Sequence, residues 1–588
     1  MKVADSMAGI LGATGLRSVF ALAGASHTYL LDALDRRGIR IVSSRHESGA
    51  VSAADGYARA SGRLGVALVI ADQGLPNAIG GLAAAYYANS PVLLLVACPP
   101  AAWTEPGAAF DTSKLQLVAS VSKWSRMVHD ATRIADYLQV AIERASSGRP
   151  GPVVLFIPSN LPAMELGAEA ASGADAATRA DAATRAEDEV PADAGRGAVA
   201  YRPAPDAAAI EAAAKMLASA ERPLLLVGAG VAWSESGAAL ATLAREFGVP
   251  VAANGLGRGT LPEDGERSFS WPYAQLAARD ADCVLVVGSR LMQRQGFGLP
   301  PRFAADAKFI QVDIEADERR RNRPIDLFIQ ADAGRALDAL CRALAAQGAQ
   351  SRRARGDWLR HALEPRRRRV AELADAPGLA GAPLHPLRLG RLLAQRLPPG
   401  AAYVGDGADI QNWMYGAIHI RRRRGFLDHY PLGAMGMGTA LSIGVAAGLA
   451  DAGEALPTVL VTGDGAFGFH ASEIHAAARA GLRLVVIIGN NGAWGSEVFE
   501  QRRSLGRSVN TELGVLPYER VAEGFGCLGL LARDEAETVA ALDRAFAAQG
   551  PVVINVHTDP EAGAAIKTDP LLRMILFSDL AEGQRSLR

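Results

Sequence analysis

Val461-Thr462-Gly463-Asp464-Gly465 ends an apolar run that starts at Thr458, and Asn490-Asn491-Gly492 follows the next such run, Leu484 to Ile488. Both runs are short and rich in Val, Leu and Ile, which suits strands buried on both faces of a parallel sheet. The 27 positions from Asp464 to Asn491 leave room for one helical crossover. Such a crossover sets neighbouring parallel strands with their carboxyl ends side by side, where α/β sheets bind ligands. Asp464 and Asn491 are thereby expected to reach one ion. An Asp carboxylate, an Asn carbonyl and a backbone carbonyl are hard oxygen donors of the kind Mg²⁺ takes when phosphates and water complete its shell. The small residues Gly463, Gly465 and Ala466 let the backbone approach an anion, and a following helix offers it free N–H groups. Gly-Asp-Gly alone would describe a turn; strand, Gly-Asp-Gly, crossover, strand and Asn-Asn-Gly in that order describe a metal-bridged diphosphate site.

The alternation of apolar runs with helix-sized spacers extends outward from this stretch. Strands at Ala402 to Gly405 and Val552 to Val556 complete a block beginning near Leu384. Runs at Pro223 to Val227, Cys283 to Val287 and Lys308 to Val312 form a second block, and Arg40 to Ser43, Gly65 to Ile70, Val92 to Ala97 and Val153 to Ile157 a first. The reading is an α/β protein of three doubly wound parallel-sheet domains, at 1–164, 204–346 and 384–588. Between the first two, Asp-Ala-Ala-Thr-Arg-Ala at 175–180 recurs at 181–186 with almost no large apolar side chain. Such a segment cannot bury enough surface to offset its ordering entropy, so 165–203 reads as a low-complexity linker. A charged helical connector is expected at 347–383.

Composition agrees and excludes other classes. At about 150 residues per domain, 588 residues suit three or four domains. With 49% apolar and 21% charged residues, and 61 Lys+Arg against 62 Asp+Glu, nothing points to nucleic acid or a membrane surface as partner. The arginine clusters at 319–321, 366–369 and 421–424 read as solvated or anion-contacting segments. Four cysteines without short spacing offer neither a disulfide framework nor a CxxC site, and no apolar run is long enough for a signal or membrane span. A cytoplasmic protein is expected.

A second chemical signal stands far upstream: Arg45-His46-Glu47 at the end of the strand beginning near Arg40, then Ala54-Asp55-Gly56-Tyr57-Ala58-Arg59 in helical register. A glutamate at a strand end above an apolar pocket would bond a heterocyclic nitrogen rather than stand in water. Together, Glu47 with Ala54 to Ala58 and Gly463-Asp464-Gly465 with Asn490-Asn491 resemble the thiamine diphosphate enzymes of the acetolactate synthase and decarboxylase type. The resemblance covers nearly the whole chain except the linker. Leu432-Gly433-Ala434-Met435-Gly436 makes the third block similar to benzaldehyde lyase. Phe309 to Ile314 and Asn322-Arg323-Pro324-Ile325 make the middle block similar to 2-hydroxyacyl-CoA lyase and oxalyl-CoA decarboxylase.

The resemblance implies a role for each matching residue. Glu47 would hydrogen-bond N1′ of the aminopyrimidine of thiamine diphosphate, so that C2 loses its proton and the resulting carbanion attacks a carbonyl. Met435 would prop the cofactor into its bent form, and the Gly433 carbonyl would receive its 4′-amino group. Asp464, Asn491 and the Ala493 carbonyl match Mg²⁺ ligands, while Gly407, Ala408, Asp409, Trp494 and Gly495 fall around the diphosphate. Glu497 aligns with a glutamate that decarboxylase-type relatives use near the reacting carbon; its other reading is a helix N-terminal charge. Ser26, His27, Gln73, His429 and His470 lie on segments near the substrate. Phe110, with Ala109, stands where acetolactate synthases carry a glutamine, which implies an apolar acceptor pocket. The implied activity is a C–C bond lyase or carboligase acting on 2-oxoacids, acyloins or 2-hydroxyacyl compounds. Alternatives are an acetolactate synthase-like enzyme, a simple 2-oxoacid decarboxylase, or a non-catalytic paralogue that only binds the cofactor. Because Glu47 and the metal residues sit in different domains, the family arrangement implies a homodimer or homotetramer with the site between chains. Gly228-Ala229-Gly230 follows a strand without a full dinucleotide fingerprint, so FAD or ADP in the central domain stays an open possibility.

Overall fold

A strand that is apolar on both faces is buried only when helices cover both, and the chain does this three times. The computed structural model describes residues 1–103, 114–167, 201–234, 236–275, 277–348 and 353–562. The first sheet holds β1 (Ser18–Ala21), β2 (Arg40–Ser43), β3 (Gly65–Ile70), β4 (Val92–Cys98), β5 (Trp124–Met127) and β6 (Val153–Pro158), in the order β2-β1-β3-β4-β6-β5. The second holds β7 (Pro223–Val227), β8 (Val251–Ala253), β9 (Ser268–Ser270), β10 (Cys283–Val287), β11 (Lys308–Asp313) and β12 (Leu327–Gln330), ordered β12-β11-β10-β7-β8-β9. The third holds β13 (Ala402–Gly405), β14 (Phe426–Asp428), β15 (Thr458–Gly463), β16 (Leu484–Asn490), β17 (Leu528–Ala532) and β18 (Val552–His557), ordered β14-β13-β15-β16-β18-β17. Every strand pairing is parallel. Three doubly wound α/β domains are therefore the architecture, with more strands per sheet than the apolar runs alone indicate.

In the third sheet the chain passes from β13 to β14 on one side and then to β15 on the other. That reversal opens a crevice at the carboxyl ends of β13 and β15, the place where such sheets take ligands. Asp464 is the first residue after β15, and Asn491 the first after β16, which lies beside it with Gly463 opposite Gly489. The connection between them contains two short helices, Asp464–Phe469 and Ile474–Arg479, rather than one long crossover.

The first and third domains meet through two helices poor in large side chains. Glu47–Ser61 and Gly438–Asp451 are both almost wholly buried. A Cβ on Gly56 would overlap the Leu441 carbonyl, and one on Gly444 the Ala53 carbonyl. Arg59, within the first of these helices, pairs with Asp55 and also donates to the Asp428 carbonyl, 3.0 Å away in the third domain. The central domain is fastened to the third by a buried pair, Arg258 and Glu263, that also bonds the Ile418 carbonyl and the Ile420 N–H. Arginines from the clusters add to this: Arg421 pairs with Asp264, and Arg423 and Arg424 donate to the Ala232 carbonyl across the same boundary, while Arg422 pairs with Glu454 and Arg321 with Glu318 within their own domains. The expected connector contains the helix Arg353–Ala374. The Asp-Ala-Ala-Thr-Arg-Ala repeats of the expected linker, and the loop holding Ala109 and Phe110, lie outside the described residues.

Candidate active site

Three loops from the third sheet converge on the crevice. The loop after β13 carries Gly407, Ala408 and Asp409, the last opening the helix Asp409–Ala417. Gly407 has φ +87, and a Cβ there would stand 3.0 Å from the Gly463 nitrogen, so this loop lies directly against the end of β15. The second loop, with Gly433 and Met435, precedes the helix Gly438–Asp451; Gly433 and Gly436 both have positive φ. Asp406 locks the two together. Its Oδ1 accepts the N–H groups of Gly407 (2.7 Å) and Gly436 (3.2 Å), and its Oδ2 that of Gly438 (2.8 Å). Met435, just before the tied Gly436, is half-buried.

The third loop follows β16. Asn490 is spent on structure, donating to the Leu516 carbonyl and Asn555 and accepting the Gly492 N–H. Asn491 instead turns its side chain toward the crevice, where its Oδ1 accepts the Ala493 N–H at 3.1 Å and its Nδ2 faces Asp409. A Cβ on Gly495 would stand 2.7 Å from Asn491 Nδ2 and 2.8 Å from Asp409 Oδ2. The Trp494 indole packs on Gly465, where a Cβ would meet it at 2.6 Å.

Asp464 is buried, and its Oδ2 has no hydrogen-bond partner. Desolvation pushes its carboxyl up to about 6, partly offset by nearby backbone N–H groups that include those of Gly492 and Ala493. A buried carboxylate oxygen with nothing to bond is expensive, so the arrangement fits a divalent cation. Burial also pushes Asp409 up to about 6, aided by the charge of Glu497. Glu497 itself is exposed in the first turn of the helix Gly495–Leu505.

In the first domain, β2 ends at Ser43, and Glu47 is the first residue of its helix rather than the last of the strand. The carboxylate is buried, and Asn77 donates to its Oε2 at 3.0 Å. Gly74 leaves room for the other oxygen, since a Cβ there would lie 3.3 Å from Oε1. Asn77 was not singled out from the sequence; only its placement in the helix Gly74–Ala88, facing Glu47, reveals it.

The remaining pocket candidates are dispersed. His27 is buried with both ring nitrogens unbonded, and desolvation lowers its pKa to about 4. Ser26 is half-buried and Gln73 exposed. His429 is buried with unbonded ring nitrogens, its Nδ1 3.7 Å from Asp406. His470 uses both nitrogens, with Ser48 Oγ at 2.7 Å and the Gly436 carbonyl at 2.9 Å. Glu473, also missed in the sequence, accepts two backbone N–H groups from the segment before Glu47; burial pushes its carboxyl up to about 7.

Comparison with known proteins matches these pieces to one family. Residues 1–119 match the N-terminal TPP binding domain of thiamine pyrophosphate enzymes, 210–340 their central domain and 406–556 their C-terminal TPP binding domain. The chain belongs to the thiamine pyrophosphate enzymes. It is 32% identical over 553 residues to an acetolactate synthase large subunit of Mycobacterium tuberculosis, covering 94% of each chain. It is 31% identical over 587 residues to a 2-hydroxyacyl-CoA lyase of Oryza sativa subsp. japonica, covering 96% of this chain and 97% of that one. Its fold is shared with a thiamine diphosphate-dependent 4-hydroxybenzoylformate decarboxylase of Rhodococcus jostii RHA1, at TM-score 0.78 and 22% identity over 95% of this chain and 99% of the other. This thiamine pyrophosphate enzyme is thus of the acetolactate synthase and 2-hydroxyacyl-CoA lyase type. Among the described residues, no helix is long and apolar enough to cross a membrane.

Proposed function

We propose that this thiamine pyrophosphate enzyme holds the cofactor diphosphate through Mg²⁺ bound by Asp464, Asn491 and the Ala493 carbonyl. It acts as a C–C bond lyase or carboligase on 2-oxoacids, acyloins or 2-hydroxyacyl compounds. The observation that carries this reading is the buried, partnerless Asp464 Oδ2 at the end of β15, beside the strand from which Asn491 issues. When bound, thiamine diphosphate supplies a carbon nucleophile that also stores the electron pair of a bond broken next to a carbonyl.

The chain's own residues bind, orient and move protons. Glu47, steadied by Asn77, holds the proton at the pyrimidine N1′. The Gly433 carbonyl would accept the 4′-amino group, Met435 would support the ring system, and the Gly407–Asp409 loop would border the diphosphate. Glu497 exchanges a proton with the substrate hydroxyl. The enzyme works as a dimer or a tetramer, Glu47 of one chain serving the cofactor held by its partner.

Replacing Asp464 with Ala tests the metal assignment. Mg²⁺-dependent retention of thiamine diphosphate, followed by calorimetry, should be lost because the diphosphate loses its bridging cation. Unchanged affinity would remove Asp464 from the site. Efficient acetolactate formation from pyruvate alone would favour the synthase reading over the lyase.

A nucleotide in the central domain has an observation of its own. A cavity of about 520 Å³ is lined by Gly228, Gly230, Arg290 and Asp313. Asp313 ends β11 and brings a buried carboxylate to the cavity wall. Saturable binding of ADP or FAD, abolished in Asp313→Ala, is the expected result, and no binding of either would end this second reading.

A further inference from the structure

The turn that delivers Glu47 is held from the opposite domain. We propose that Glu473 is a positioning residue for Glu47, fixing the backbone from which that carboxylate projects. The proposal rests on the role given above to Glu47. Glu473 is buried, and its Oε1 accepts the Arg45 N–H at 2.9 Å and the His46 N–H at 2.8 Å. His46 is the N-cap of the Glu47–Ser61 helix. One oxygen shared by two consecutive N–H groups fixes both peptide planes immediately before Glu47, and with them the direction of its side chain.

The sequence makes room for this oxygen. A Cβ on Gly49 would overlap Glu473 Oε1, so glycine in the first turn of the helix is what admits the carboxylate. Flanking contacts keep the two segments in register. Arg45 Nε donates to His475 Nδ1 at 2.9 Å, and Ser48 Oγ bonds His470 Nε2, whose ring also bonds the Gly436 carbonyl. Glu473 therefore stands in the middle of a polar seam between the turn that delivers Glu47 and the segment following the Asp464 helix. It makes no direct hydrogen bond to the Glu47 carboxylate, whose oxygens face Asn77 and Gly74. Its action is transmitted through the backbone.

Displacement of a catalytic group by about 1 Å can cost on the order of a hundredfold in rate, so a loosened turn should be visible in the proton step that Glu47 governs. The experiment measures H/D exchange at C2 of thiamine diphosphate bound to the Mg²⁺-loaded enzyme, together with cofactor affinity. Hydrogen exchange of the Arg45 and His46 amides in cofactor-free protein supplies a second readout. Glu473→Ala should slow C2 exchange by at least about tenfold with cofactor affinity nearly unchanged, and should expose both amides. Glu473→Gln, which keeps the acceptor without the charge, should restore both readouts; a merely electrostatic role would not be rescued this way. Gly49→Ala, which pushes the carboxylate aside while leaving Glu473 in place, should reproduce Glu473→Ala. Glu47→Gln is the control and should be slow throughout.

Wild-type C2 exchange in Glu473→Ala, beside slow exchange in Glu47→Gln, would overturn the role of Glu473 alone. Exchange as slow in Glu473→Gln as in Glu473→Ala would also overturn it. Wild-type exchange in Glu47→Gln would instead remove the Glu47 reading on which the proposal stands.

Discussion

His385 caps the helix Pro386–Arg396 by accepting the Leu387 N–H on Nδ1 at 3.1 Å, and it packs edge-on against Trp413. A protonated ring cannot accept that bond, and burial lowers the pKa to about 4 from an ordinary 6.5. Between those two values the unfolded chain binds the proton and the folded chain does not. The histidine's contribution is therefore present above pH 6.5 and lost as pH falls toward 4, by roughly 3 kcal/mol at most. His385→Asn retains a good capping acceptor that does not titrate. Thermal unfolding should show wild type losing stability relative to this variant across that window, and parallel curves would rule the effect out. The comparison isolates His385, because Glu473, Asp313, Asp409 and Asp464, all raised by burial, shift stability the opposite way in both proteins. The same distinction decides what single residues disclose in a sequence. Asp464 and Asn491 stand in local patterns whose spacing suggests a chemistry, while Glu47 takes its expected role from the family resemblance. Asn77, Asp406 and Glu473 have no such pattern, since their work consists of bonds to residues 30, 30 and 428 positions away, as Asn77 to Glu47, Asp406 to Gly436 and Glu473 to Arg45.

At the scale of elements, what the sequence reveals follows length and apolar content. The central strands β3, β4, β6, β7, β10, β11, β13, β15, β16 and β18 are mostly apolar runs and were legible as such. The edge strands β5, β9, β12, β14 and β17 were not, nor were the short interior strands β1 and β8, although the edge strand β2 was. An edge strand has a neighbour on one side only and is often short, so its sequence need not be apolar throughout; β5 reads Trp-Ser-Arg-Met and β9 only Ser-Phe-Ser. The helix pair joining the first and third domains was legible only in part, because close backbone approach leaves a trace of small residues but not their partner. That approach is testable at Gly56, whose added Cβ would meet backbone, the Leu441 carbonyl, rather than a movable side chain. Gly56→Ala should destabilise by about 1–3 kcal/mol or prevent folding, against a helix-propensity gain below about 1 kcal/mol. Gly524→Ala, in the helix Tyr518–Gly524 with nothing within 4 Å, provides the control and should be neutral or stabilising. Equal melting temperatures for the two variants would show that the crossing is looser than the structure indicates.

Across the whole molecule, the catalytic parts lie on two domains, and within one chain the Glu47 helix meets the Gly433–Gly438 loop through Ser52 Oγ to Met437 Sδ at 3.1 Å and through Ser48 and His470 to the Gly436 carbonyl. The segment next to Glu47 bonds His470, Glu473 and His475, beyond the Asp464 helix. The Asn491 loop lies instead against residues 511–514, through Trp494 N–H to the Thr511 carbonyl and Leu513 N–H to the Gly492 carbonyl. That border is rich in exposed apolar side chains: Phe469, Leu505, Val509, Leu513, Val515 and Leu516 are all open to solvent. Such a concentration beside a site is costly unless another surface covers it. In the proposed dimer, a second copy of the chain would cover it and bring its own Glu47 to the crevice. Activity should then depend on association: on dilution, specific activity and the dimer fraction measured by sedimentation should fall in parallel. Leu516→Glu and Val515→Glu should shift both curves to higher concentration, since each places a charge in a covered apolar border. Mixing inactive Glu47→Gln with inactive Asp464→Ala provides the sharper measurement. A heterodimer contains one site with both defects and one with neither, so random exchange should restore up to about a quarter of wild-type activity, half of the chains being in heterodimers with one good site each. No recovery after demonstrated subunit exchange, or full activity in a protein that sediments as a monomer, would contradict a site shared between chains.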